Sequence, residues 1–169
     1  MKHSTISQSA FAFSNALRKR PCDDFTFELL TSFPTACCEY ASLLLAWFLV
    51  EEQPDIQVEL VTGELESDRQ SRHVWLRIDG LNVDITADQF DVRLPCVLIT
   101  SLGEWHAGYD IVHWEIFDKN FYLSYEEAGQ LELIADYQFL SQQARASLYA
   151  RSKGLRIDRW PISRLATIG

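Results

Sequence analysis

From Ala41 to Val50 the chain is apolar at every position but Ser42, more than one face of a helix can account for. A helix of that composition must be buried on most of its sides, so any fold open to this chain is built around it. The run is shorter than the roughly 20 residues a bilayer span needs, and Pro54 stops it. Cys37 to Glu52 is therefore expected to be the central core helix of a soluble domain. With 169 residues, 47% of them hydrophobic and 23% charged, the chain can bury such a core, and one domain spanning 1–169 is expected.

The segments around this helix show different periods. Ile6, Ala10, Phe13 and Leu17 recur at helical spacing, which predicts an amphipathic helix from about Thr5 to Lys19 with Ser4 as N-cap and Pro21 as its end. An acidic, aromatic connector between Pro21 and Pro34 reads equally well as a short helix or an extended segment. After the core helix, Ile56, Val58 and Leu60 alternate with polar residues as in a strand, and Glu64 to Arg72 reads as an exposed loop. His73 to Ile78 and Leu81 to Ile85 are strands joined by Asp79-Gly80, a favoured two-residue hairpin turn. Cys96 to Thr100 and Ile111 to Phe117 are further strand candidates, and a long helix is expected over roughly Ser124 to Ser152. A core helix followed by an antiparallel sheet, flanked by N- and C-terminal helices, is an α+β fold.

Charge and cysteines narrow the partners and the compartment. A net charge of -9 repels phosphate backbones and anionic lipid, so neither nucleic acid nor a membrane surface is expected as a partner. The 151–169 tail runs against this, with five basic residues and one acid, Asp158. The first 20 residues lack the apolar stretch of a signal peptide, and Cys22, Cys37, Cys38 and Cys96 are too irregularly spaced for a disulfide framework. Free thiols in the cytoplasm are the expectation.

The hairpin register follows from its turn. Positions pair symmetrically about a two-residue loop, so Ile78 faces Leu81, Trp75 faces Asp84 and His73 faces Thr86. Val74, Leu76, Ile78, Leu81, Val83 and Ile85 then share an apolar face, while His73, Trp75, Asn82 and Asp84 share the other. His73 and Asp84 become diagonal neighbours, roughly 7 to 8 Å apart at the backbone, a gap that side chains of this size close. A carboxylate on one ring nitrogen fixes the imidazole's tautomer and frees the other nitrogen to exchange a proton with a nucleophile. Cys37 and Cys38 begin the core helix, where free N–H groups and the helix dipole favour a thiolate. Each residue alone has an ordinary reading: a buried cysteine is usually a small hydrophobe, a strand histidine is usually structural, and Trp75 is packing more readily than substrate contact.

Three stretches together resemble bacterial transglutaminase-like cysteine peptidases, a papain-like family. They are Phe33-Pro34-Thr35-Ala36-Cys37-Cys38-Glu39-Tyr40-Ala41-Ser42, then His73-Val74-Trp75-Leu76, then Val83-Asp84-Ile85-Thr86-Ala87-Asp88-Gln89-Phe90. The resemblance covers residues 33–90. It implies a papain-like fold and a Cys38, His73, Asp84 triad in a thiol-dependent amide hydrolase or acyltransferase acting on a protein or peptide, with no cofactor. Cys37 is the alternative nucleophile: neighbouring helix positions point about 100° apart, so one of the pair can face His73. Ala36 stands where such motifs often carry glycine. Gln89, just past the aspartate, is a candidate substrate contact. The alternative from another class is a non-catalytic protein-binding domain on the same fold.

No metal is expected, since adjacent cysteines rarely chelate one zinc and the chain has neither a CxxC nor an HxxxH pair. His106 and His113, set among Trp105, Tyr109 and Trp114, read as core packing before a groove wall. No glycine-rich phosphate loop is present.

Overall fold

The computed structural model describes residues 2–101 and 104–154. It is α+β, with three helices, α1 (Lys2–Lys19), α2 (Cys38–Glu52) and α3 (Glu127–Ser152), and five strands. The strands are β1 (Glu59–Leu65), β2 (Asp68–Ile78), β3 (Leu81–Asp84), β4 (Leu98–Ser101) and β5 (Tyr109–Ile116). They form one antiparallel sheet in the order β4-β3-β2-β1-β5.

The helices cover one face of this sheet. Val58, Leu60, Val74, Leu76, Ile78, Val83 and Ile85 join the buried residues of all three helices in one core. In α2 the buried set runs round the helix, from Ala41 through Ala46 to Phe48 and Leu49, as the apolar run requires. Phe48 stacks on Phe13 of α1 with ring centroids 5.1 Å apart, and Trp47 stacks on Tyr137 of α3 at 4.0 Å. The opposite face of the sheet carries a smaller cluster of Val61, Trp75 and Tyr109, with Leu65 and Trp105 against it. The observed pairs Ile78↔Leu81, Arg77↔Asn82 and Leu76↔Val83 have the register expected from the Asp79-Gly80 turn, whose two residues both take positive φ.

Several local expectations are corrected. Glu64 to Arg72 is no loop: β1 and β2 stay paired to Leu65↔Asp68 across a register shift, and side-chain bonds such as Arg72 to Glu64 hold the polar hairpin end. Polar composition misleads there because both faces of the projecting ribbon meet water. The first helix begins at Lys2, so Ser4 lies inside it and is no N-cap. The connector holds two short 3₁₀ turns, Cys22–Asp24 and Glu28–Leu30, which drop Phe25, Phe27 and Leu30 into the core. Ile56 and Val58 precede β1, β4 starts at Leu98, β5 spans Tyr109–Ile116, and α3 starts at Glu127 after a 3₁₀ turn, Phe121–Ser124. Of the basic tail, residues 155–169 lie outside the described residues. Among the described residues no helix is long and apolar enough to cross a membrane.

Candidate functional site

The β2–β3 hairpin brings His73 and Asp84 together as the register implies. His73 Nε2 and Asp84 Oδ2 are 2.6 Å apart, and both side chains are fully buried. The carboxylate is held from every side: Thr86 donates its backbone N–H to Oδ1 at 2.8 Å, with its hydroxyl at 3.3 Å, and His106 Nε2 reaches Oδ2 at 3.0 Å. An ionised carboxylate can only accept, so both imidazoles present N–H at Nε2. Burial works against charge on Asp84, but the His73 charge and the His106, His73 and Thr86 hydrogen bonds outweigh it and hold the carboxyl well below its usual range.

The fixed Nε2–H leaves Nδ1 of His73 as the free nitrogen. This atom is buried and, among the described residues, has no partner of full hydrogen-bond geometry. Cys38 is near enough to the ring to favour its charged form. The helix explains why: Ser42, one turn along α2, bonds the Val74 carbonyl at 3.2 Å, and a residue four positions earlier lies on the same helix face. Cys38 is thereby laid beside the residue preceding Val74 in β2. Burial opposes the charged form of His73, but the Asp84 charge and hydrogen bond, with those of Cys38, prevail and raise its pKa.

The two cysteines differ in environment. Cys37 is the N-cap of α2 and 1% exposed, while Cys38 is the first helical residue and half-buried. Burial, with Cys38 beside it, pushes the Cys37 thiol up to about 12 despite the nearby Arg18, so it stays protonated near neutrality. The N-cap supplies no side-chain bond to the first turn, which leaves early N–H groups of α2 open to an incoming oxygen at Cys38.

The remaining nominated residues have structural partners. Trp75 is packed into the sheet's second cluster: it is 1% exposed, donates Nε1–H to Asn82 at 3.0 Å and lies on Gly63. A Cβ at Gly63 would stand 2.8 Å from both the indole and Tyr109, so the absent side chain is what admits the indole. Gln89 accepts the Ala36 N–H at 3.2 Å and donates to the Thr86 carbonyl at 3.0 Å, bracing the segment before the cysteines against the turn after Asp84. His113 and Trp114 are corrected from core packing to surface residues of β5, with His113 63% exposed in its side chain.

His106 is buried as expected, but its bond to Asp84 was not legible in the sequence. It sits on a 3₁₀ turn, Trp105–Gly108, and no hairpin register links that turn to β3. The one available signal was a histidine inside an aromatic run. Phe90, Trp105 and Tyr109 surround His73 at centroid distances of 4.8, 5.8 and 5.8 Å, with Phe90 41% exposed above it.

One ligand atom each from His73, Asp84 and His106 lies within 4.8 Å of the others, a donor set of the kind that binds metals. The 2.6 and 3.0 Å contacts to a single carboxylate oxygen are hydrogen-bond distances, so this geometry is satisfied by protons.

No protein-family model, curated protein or solved structure matches this chain. The reading of the site therefore rests on its own geometry.

Proposed function

We propose that this chain is a thiol-dependent amide hydrolase or acyltransferase of the papain-like, transglutaminase-like kind, acting on a protein or peptide, with Cys38, His73 and Asp84 as its triad. The observation that carries the reading is the His73 ring: Nε2 is bound to Asp84, Nδ1 has no partner among the described residues, and Cys38, at the start of a buried helix, is near enough to favour the ring's charged form. The order of the parts, a cysteine at a core-helix start and then His and Asp on successive antiparallel strands, supports the papain-like architecture within the α+β fold.

The chemistry follows from the positions. The Cys38 proton passes to His73 Nδ1, and Asp84 stabilises the imidazolium so formed. The thiolate attacks the amide carbonyl carbon, and the developing oxyanion takes N–H donors at the α2 start. When the C–N bond breaks, the imidazolium proton goes to the leaving amine and a thioester remains on Cys38. Water, deprotonated by His73, releases an acid; an amine in its place gives a new amide.

The non-catalytic binding-domain alternative is favoured by one observation, the 0% exposure of His73 beneath its aromatic neighbours. Iodoacetamide alkylation followed against pH, with the labelled site found by mass spectrometry, separates the two. The enzyme reading expects label on Cys38 and not on Cys37, with the labelling of Cys38 slowed in His73→Ala. Ordinary thiol reactivity in both proteins would remove it and leave the binding domain.

A further inference from the structure

β5 is an edge strand, paired with β1 and with nothing on its other side among the described residues. Edge strands are normally protected by shortness, proline or lysine. β4, the opposite edge, is four residues long, but β5 is eight and contains neither residue type, its one interruption being a register shift against β1 that leaves Val112 unpaired. It also carries an exposed apolar row: Ile111, Val112, Trp114 and Ile116 are each 46 to 57% exposed.

The hydrogen-bond parity of β5 sets which of its backbone groups are free to pair. Phe117 donates its N–H to the Val58 carbonyl at 2.8 Å, so Phe117 points into the sheet, and by alternation so do Glu115 and His113, opposite Leu60 and Thr62. Trp114 and Ile116 therefore turn their N–H and C=O groups outward. A twofold antiparallel pairing of β5 with a second β5 can be centred on an outward residue or on an inward one, because hydrogen-bonded and non-hydrogen-bonded pairs alternate along the ladder. Centred on Trp114, within the regular stretch from His113 to Ile116, it sets Trp114 against Trp114 and His113 against Glu115 twice, matching ring with ring and imidazole with carboxylate. Moving the centre by one residue sets His113 against His113 or Glu115 against Glu115, and moving it by two sets Trp114 against Asp110 or Asp118. Within one chain His113 and Glu115 already stand 3.8 Å apart, so the paired strands would gather alternating imidazole and carboxylate groups on one face.

We propose that this edge is a self-association surface: two copies of the chain pair through β5 about a twofold axis at Trp114, joining their sheets into one. The self-complementary pattern of imidazole and carboxylate selects a second copy as the occupant over an unrelated strand.

Sedimentation velocity of the full chain over a range of concentration tests this. The wild type is expected to show a monomer–dimer equilibrium. Trp114→Pro deletes an N–H that has no acceptor among the described residues, so it is expected to abolish the dimer while far-UV circular dichroism is retained. Should that variant not fold, charge exchange replaces it: Glu115→Lys weakens the dimer by setting a basic side chain against His113 of the second copy, and adding His113→Glu restores it. A wild type that stays monomeric, whether its edge is open or covered by residues 155–169 or a peptide, overturns the proposal. So does a dimer that neither Trp114→Pro nor the charge exchange weakens.

Discussion

Ala36 holds φ at 56°, in the left-handed region that costs a residue with a Cβ roughly 1 to 2 kcal/mol. The strained position lies two residues before Cys38, in the segment that Gln89 ties to Thr86. A glycine would meet this local conformational demand without the steric cost. Ala36→Gly is expected to leave Cys38 reactivity intact and to raise unfolding free energy by up to about 1 kcal/mol, the relief of strain being partly offset by the greater freedom of glycine in the unfolded chain. Ala36→Val, β-branched at the same φ, is expected to lower it. Urea unfolding of the pair reads both signs.

At the scale of elements, the connector between α1 and α2 is held by a single buried carboxylate. Asp136 of α3 is 0% exposed and accepts the Thr26 N–H at 3.1 Å, the Thr26 hydroxyl at 2.8 Å and the Phe27 N–H at 2.8 Å. Arg20, at the end of α1, pairs with it at 2.9 Å. The local gain of the two 3₁₀ turns is small, so α3 supplies the acceptors that their backbone lacks. Asp136→Asn removes the charge and aims N–H groups at donors, leaving Arg20 unpaired. A loss of about 3 to 5 kcal/mol is expected from urea denaturation, the range for breaking a buried pair by changing one partner. Asp136→Ala should be no milder, because the donors stay buried.

For the whole molecule, the buried His73–Asp84 pair ties stability to pH in two separate windows. The raised pKa of His73 means its contribution is complete below about pH 6.5, the unfolded value, and fades as pH rises through the folded one. The depressed pKa of Asp84 means its contribution is complete above about pH 4 and is lost as pH falls through the folded value. Thermal unfolding of the wild type is therefore expected to show falling stability from about pH 6.5 upward, before unfolded thiols begin to ionise near about 8.5. His73→Gln should be less stable at neutral pH and lack that early decline. A wild-type curve as flat as the variant's would contradict the charged pair.

Much of this was legible without coordinates, and the pattern of successes has a physical basis. An all-round apolar run admits burial alone, and a two-residue turn allows one register, so α2, the β2–β3 hairpin and the meeting of His73 with Asp84 were determined locally. Polar composition could not reveal the paired tip of β1 and β2, because a ribbon wetted on both faces has the composition of a loop. The rest depended on contacts between segments far apart in sequence. His106 reaches Asp84 from a separate turn, Ser42 docks α2 on Val74 and so sets which side of the helix turns to β2, and β5 lies at an edge where its apolar residues stay exposed. The sequence by itself determined which residues could share a face. Only the tertiary structure decided which faces meet, because that choice depends on the joint packing of helices and strands, which no local period encodes.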